Sequence, residues 1–392
     1  MDVSEIPMIL FTVIAQMCVG AFIVLGAIQV LGAAKHSSKV IDRLADPALL
    51  AIGPSLVLGL LVSMLHMHDI TNTLNVVRHI GTSWLSREIV FGMLFAGAGF
   101  LFALIQWRKF GPPILRTGLA VVTALFGIAL VWSMANIYAS LPTVPVWNSW
   151  FTIVQFFATS ILLGSMAIGV AIVGVTALRQ RRLARHGEPD ADAAGDGGFL
   201  GAANLSLTPA DARTRAQVHE LLGPSVRGIV VAALASALTI FVALPIFLGQ
   251  IAQTSGPTTA HALAVYGGTT LGLRLGLLAL GIALLVLFAY LMTSDLANAR
   301  PLAFVMGLAF VLVIVAEFIG RGMFYESMRR VGVCPHGSIG SPRSGPRWVA
   351  SSPPPRTPTP WPRCAPTTSS GPGRWTPAPG WQTGSPCGGT RR

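Results

Sequence analysis

Eight stretches of mostly apolar residues constrain this chain more than any other feature: about 8–33, 48–66, 88–107, 117–139, 150–177, 228–250, 271–293 and 302–325. Roughly 20 such residues are needed for a helix to cross the hydrocarbon core of a bilayer. No water is available there to satisfy backbone N–H and C=O groups, so each stretch is expected to be helical. The predicted fold class is all-α, a polytopic membrane protein built as a bundle of eight transmembrane helices. Composition agrees, because only 11% of residues are charged where soluble domains run at about 25%. The formal net charge of +12 does not form a basic domain. Basic residues sit in short loops and in the tail, which favours membrane topology over nucleic-acid binding.

Topology follows from where the basic residues fall. Lys35, Lys39 and Arg43 follow the first stretch, Arg108, Lys109 and Arg116 the third, and Arg179, Arg181, Arg182 and Arg185 the fifth. Arg300 follows the seventh, whereas the alternate loops hold Arg78 and Arg87 and otherwise none at 140–149 or 253–270. The positive-inside rule then puts the first set in the cytoplasm and both termini outside. Asp2 and Glu5 stand where a cleavable signal peptide carries positive charge, so none is expected. Pro245 is expected to kink the sixth helix. Ser165 and Gly169 have the four-residue spacing that lets membrane helices approach closely, although small residues are also common in such helices generally.

Two domains are expected. Residues 1–332 form the eight-helix domain, with a cytoplasmic loop at 178–227 that reads as a flexible linker with a short amphipathic piece near Ala210–Leu222. Residues 333–392 are a different kind of sequence, holding 14 of the 27 prolines, three of the four cysteines and no acidic residue. With no apolar periodicity there is no core to fold around. The composition break after Arg330 suggests either a disordered extension or out-of-frame translation; an intact reading frame on resequencing would overturn the second.

Polar residues inside or beside the apolar stretches are costly unless they pair, line a wet pocket or work. The segment Ser63–Gly92 concentrates them, with His66 and His68 closing the second stretch and Glu88 opening the third. With the topology above, Gln16, Arg274, Glu317, Arg321 and Tyr325 fall in the same, outer half. Each also has a structural reading. His66 suits an interfacial histidine, and His68 and His79 suit the solvent side. Glu317 and Arg321 are one turn apart, the spacing of an intrahelical ion pair. Arg274 could snorkel to the interface. No helix has a histidine at mid-depth, and no CxxC pair appears, so neither haem nor an iron–sulfur cluster is expected in this chain, and no metal site.

Several separated motifs in order resemble one family, the membrane anchor subunit of dimethyl sulfoxide reductase. They are EIPMILFTVIAQMCVGAFIV (Glu5–Val24), SMLHM (Ser63–Met67), SWLSREI (Ser83–Ile89), TVPVW (Thr143–Trp147) and EFIGRGMFY (Glu317–Tyr325). The resemblance spans about residues 1–332 and includes the helix count, while the long loop and the tail depart from it. It implies a subunit in the bacterial inner membrane, in anaerobic respiration, that oxidises menaquinol and passes electrons to an iron–sulfur partner. Acceptor reduction would then occur in a molybdopterin catalytic subunit. His66 corresponds to the family's quinol-site histidine, and the glutamate matching Glu88 is implicated as well. A neutral imidazole can accept a quinol hydroxyl hydrogen bond and then its proton, and Glu88 could receive that proton next. Gln16, Arg274, Glu317, Arg321 and Tyr325 are further candidates for quinol binding. Rival readings are an anchor for a polysulfide or tetrathionate reductase and a secondary transporter. The latter is disfavoured by the absence of an internal repeat and of midplane polar residues.

Overall fold

A computed structural model of the protein describes residues 6–33, 38–65, 78–186, 212–254, 256–294 and 299–328. By internal contacts the molecule divides into Met1–Cys334 and Pro335–Arg392. The second unit, and with it the proline-rich tail, lies outside the described residues, as do His66, His68 and most of the long loop.

Among the described residues the structure is all helical. In sequence order the helices are α1 (Ile6–Ala33), α2 (Ser38–Leu65), α3 (Trp84–Arg108), α4 (Pro113–Ala139) and α5 (Trp150–His186), then α6 (Ala212–Ala252), α7 (Pro257–Tyr266), α8 (Thr269–Ser294) and α9 (Ala299–Glu326). Eight are long and apolar enough to cross a membrane, and their spans follow the eight apolar stretches closely. The largest departure is at α6, whose span begins at Glu220. There the helix runs through Arg227, which is exposed, while Val226, Ile229, Val230 and Ala233 are buried at helical spacing. Helix also extends into both ends of the 178–227 segment, to His186 and from Ala212. The ten-residue α7 is too short to span and carries no apolar stretch long enough to announce it; Pro257 at its first turn supplies a φ suited to helix initiation.

The burial pattern is that of a protein in lipid. Large apolar side chains such as Phe100, Leu125, Leu238 and Phe304 face outward, while Gln16, Thr159, Arg274 and Arg321 are fully buried. A soluble exterior would not carry so continuous an apolar surface. Several buried hydroxyls are satisfied locally: Thr12, Ser133, Ser160 and Ser236 each donate to the carbonyl four residues earlier.

Helix α1 is the axis of the bundle. It packs against α2, α4, α5 and α9, and 78% of its span is buried, against 17% for α3. Its closest neighbour is α5. A Cβ on Gly20 would lie 1.7 Å from the Ser160 carbonyl oxygen, and one on Gly164 would lie 2.1 Å from the Gly20 carbonyl carbon. The two backbones are therefore in direct contact, which only glycine permits. Further along α5, Gly169 is held against Met306 of α9, where a Cβ would come within 2.3 Å of the methionine methyl. The small residues of α5 are thus interface residues on two sides.

The α3–α4 hairpin turns through Lys109 (φ 52°) and Gly111 (φ 72°), both left-handed. Arg116 Nη1 donates to the carbonyls of Phe110 (3.2 Å) and Gly111 (3.1 Å), closing the turn. At the same end of the bundle Asp46 of α2 accepts from Gln106 Nε2 (3.0 Å) and from Lys109 Nζ, which fastens α2 to α3.

Replacing Gly164 with leucine should separate α1 from α5 and destabilise the bundle by about 3 kcal/mol, the upper end of ordinary overpacking costs. Gly97→Leu, at a position where an added Cβ meets nothing within 4 Å, should leave thermal unfolding in detergent unchanged. Equal melting temperatures for the two variants would contradict the backbone contact.

Candidate functional site

Polar chemistry gathers at one end of the bundle, where α1, α3, α5 and α8 begin and α2, α4 and α9 finish. It forms two clusters, one on each side of α1.

The first cluster is a cavity of about 330 Å³ walled by α1, α2, α3 and α4. Phe11, Ala15 and Cys18 contribute from α1, at the i, i+4, i+7 spacing of one helix face. Leu56, Gly59, Leu60 and Ser63 come from α2, and Leu85 through Ala96 of α3 supply the opposite wall. Among the lining side chains Glu88 is the one that can ionise to a carboxylate, and Ser63 supplies a hydroxyl. Glu88 makes no hydrogen bond or ion pair among the described residues, so its oxygens are available to a ligand. Its helix starts cleanly: Ser83 caps α3, accepting from the Ser86 N–H at 3.3 Å, which fixes the turn that presents Glu88.

The second cluster is a buried ionic network behind α1. Arg274 of α8 is fully buried, with Nη2 3.5 Å from Glu317 Oε1 of α9. Glu317 Oε2 accepts from the Thr159 hydroxyl of α5 at 2.8 Å. One turn on, Arg321 donates from Nη2 to Gln16 Oε1 of α1 at 2.7 Å, and its guanidinium lies 3.9 Å from the centre of the Phe156 ring. Room for Arg274 exists because residue 320 is glycine: a Cβ there would fall 2.3 Å from the guanidinium carbon. Two guanidinium groups thus lie buried near one carboxylate, which pairs with Arg274, while Arg321 bonds Gln16. The Arg274–Glu317 contact is an ion pair without a hydrogen bond: all three Arg274 nitrogens, Glu317 Oε1 and Arg321 Nη1 find no hydrogen-bond partner among the described residues.

An aromatic cluster closes this end. Trp147 stacks on Phe324 with centroids 5.3 Å apart and an interplanar angle of 14°, and its indole N–H donates to the Phe324 carbonyl at 2.9 Å. Tyr138 of α4 and Tyr325 of α9 have hydroxyls 3.1 Å apart.

These positions resolve the candidates individually. Glu88 lines the cavity. Gln16, Arg274, Glu317, Arg321 and Tyr325 share its end of the bundle but do not line it, because α1 stands between. Gln16 is one residue from Ala15, hence about 100° around the helix, and faces α9. The intrahelical Glu317–Arg321 pair is not formed: Glu317 pairs with Arg274 and Arg321 with Gln16. Nor does Arg274 snorkel, being wholly buried. His66 and His68 lie outside the described residues, and His79 is exposed. Thr159, Tyr138, Phe156 and Gly320 belong to the site but give no signal in sequence, since each is an ordinary residue of an apolar helix. Among the described residues no group of three or more His, Cys, Asp or Glu could hold a metal ion.

Residues 1–184 match the family model described as DMSO reductase anchor subunit (DmsC). The protein is 27% identical over 333 residues to the C chain of the anaerobic dimethyl sulfoxide reductase of Escherichia coli (strain K12), an alignment spanning 84% of this sequence and 96% of that one. It is 29% identical to the C chain of the corresponding Haemophilus influenzae enzyme, over 43% of this sequence and 58% of the relative. It is 31% identical to the YnfH chain of Escherichia coli (strain K12), described as belonging to an anaerobic dimethyl sulfoxide reductase, over 41% of this sequence and 55% of that one.

Removing one partner of the buried pair should be far worse than removing both. Glu317→Leu, which strands the Arg274 guanidinium, is expected to cost about 3–5 kcal/mol. Arg274→Met combined with Glu317→Leu should recover much of that loss. Thermal unfolding of the purified protein in detergent checks both; a double variant no more stable than the single one would show that the pair does not behave as a coupled unit.

Proposed function

We propose that this multi-pass membrane protein is an anchor subunit of the dimethyl sulfoxide reductase type, which its first 184 residues match, and that it oxidises a quinol, of the menaquinol type, and supplies its electrons to an iron–sulfur partner subunit. The acceptor, dimethyl sulfoxide or a related oxide, is then reduced in a separate molybdopterin catalytic subunit. The complex works in anaerobic respiration in the bacterial inner membrane, with both termini outside. This subunit itself holds neither haem nor an iron–sulfur cluster in this reading.

The observation that carries the proposal is the cavity beside Glu88. Its wall is almost wholly apolar, which suits a quinol ring and excludes water and ionic substrates, and its few polar groups sit toward one end. Ser63, which lines it, is three residues before His66 in sequence. Oxidation of a quinol releases two electrons and two protons. His66 accepts a hydroxyl hydrogen bond from the quinol and then the proton; Glu88 takes the proton onward and releases it to the adjoining water. The electrons leave for the iron–sulfur subunit docked at the same face. Gln16, Arg274, Glu317, Arg321 and Tyr325 act from behind α1. Their surplus of positive charge favours an anionic quinol intermediate over a neutral one, and their hydrogen bonds hold α1, which forms the back wall.

His66→Ala and Glu88→Gln should each reduce quinol-dependent acceptor reduction in membranes by about 10²-fold or more, the scale of a lost general base. Reduction driven by a dye that donates directly to the iron–sulfur subunit should be unaffected, and co-purification of the partner subunits should show intact assembly. Full quinol activity in both variants, with assembly preserved, would refute the assignment.

A further inference from the structure

The cavity runs along the bundle axis. From Glu88 to Ala96, both lining α3, eight residues of helix extend about 12 Å along the bundle axis. Ser63 and Glu88 lie at the end nearest the helix termini. Toward the other end the wall is Leu56, Gly59, Gly92, Phe95 and Leu130, with no ionisable group except the Cys18 thiol. The cavity has a sidedness as well as a length. Cys18, Leu56 and Phe95 at the back are buried, whereas Leu60, Leu85 and Met93 at the front are 46%, 56% and 50% exposed. Those three belong to α2 and α3, so the mouth opens sideways between these helices into the apolar exterior. An exposed apolar strip continues from it along α2, through Val57 and Leu61.

Glycines narrow neither wall. Gly59 of α2 and Gly92 of α3 both line the slot, and the bundle does not need them for close packing. A Cβ at Gly92 would only touch Leu130 Cδ1 at 3.8 Å, and one at Gly59 would touch Ile14 Cγ2 at 3.4 Å. These are ordinary contact distances, unlike those at Gly20 and Gly164. What these two glycines do supply is empty width. A volume of about 330 Å³ is at the small end for a ligand pocket. It accommodates a ring headgroup and the first part of an apolar tail, and the rest of any long tail must leave through the mouth.

We infer that the slot between α2 and α3, lined by Gly59 on one helix and Gly92 on the other, is the seat of the substrate's polyisoprenoid tail, and that this protein selects long-tailed quinols which reach it laterally from the bilayer. The inference rests on the quinol-oxidation reading above and adds the direction of access and the residues that recognise the tail. A headgroup bound at Glu88 has its tail directed down the slot, away from the polar end. The tail comes from lipid as apolar as the slot, so what its methylene groups gain against Leu56, Phe95 and Leu130 is close packing, which a tail-less ring cannot obtain.

The test compares two donors, a long-tailed menaquinol and the tail-less ring 2-methyl-1,4-naphthoquinol, in membranes carrying the complete complex. The readout is the ratio of their kcat/KM values. The wild type should favour the long-tailed donor. Gly92→Leu should lower that ratio on the order of tenfold, because the added side chain overfills the space where the tail lies, and Gly59→Leu, from the other wall, should do the same. Gly97→Leu, on the exposed side of α3, should leave it at the wild-type value. A ratio unchanged in both slot variants overturns the inference, whatever happens to absolute rates, and so does a wild type that shows no preference for the tail. Failure of the underlying reading looks different: neither donor would support acceptor reduction in the wild type while dye-driven reduction persists.

Discussion

Contact between two backbones sets the architecture. Where α1 crosses α5, Gly20 meets Ser160 and Gly164 with no side chain between them. In a bilayer there is no hydrophobic drive between helices, because lipid tails are as apolar as leucine. Association comes from close packing and from the few polar groups that can pair. Once α1 is drawn onto α5, its remaining faces are available to α2, α4 and α9, and a uniformly apolar helix becomes the buried axis. Both functional clusters use that axis as a partition. Phe11, Ala15 and Cys18 form one wall of the cavity, and Gln16 reaches the ionic network on the other side.

The network shows how such a bundle tolerates charge. Arg274, Glu317 and Arg321 and their partners come from four different helices: Glu317 and Arg321 on α9, Arg274 on α8, Thr159 on α5 and Gln16 on α1. Buried ions in a low-dielectric medium are weak evidence for stability, since their desolvation offsets much of the attraction. Their geometry is specific, however. Arg274 fits only because Gly320 lacks a side chain, and Arg321 is held between Gln16 and the Phe156 ring. A network of this kind fixes the rotation and depth of α8 and α9 against α1, which apolar ridges alone do poorly.

Much of this is legible in sequence, and the remainder is hidden for identifiable reasons. Span length and apolarity act locally, so the eight crossings can be located within a few residues, and so can the end of the bundle where the polar groups collect. Partner choice is not local. Glu317 and Arg321 have ideal spacing for each other, yet Arg274 lies 43 positions from Glu317 and takes the carboxylate instead. Gln16 and Arg321, 305 positions apart, can be matched only through the packing of α1 on α9. Glu88 marks the place of the cavity, but its glycine walls leave no mark, because Gly59 and Gly92 look like any other small residues in a membrane helix. The motifs TVPVW and EFIGRGMFY touch through Trp147 and Phe324, although nothing in either sequence joins them.

The attachment of α2 has a mechanical consequence. Near its start, Asp46 is tied to Gln106 and Lys109 of the α3–α4 hairpin. Near its finish, α2 is separated from α3 by the slot that Ser63 and Leu60 help to line. From Asp46 to Ser63 is about 17 residues, or about 25 Å of helix. Between them stands Pro54, which has no N–H to complete the helical ladder. The half of α2 beside the slot is therefore joined to the clasped half through a turn that lacks one backbone hydrogen bond.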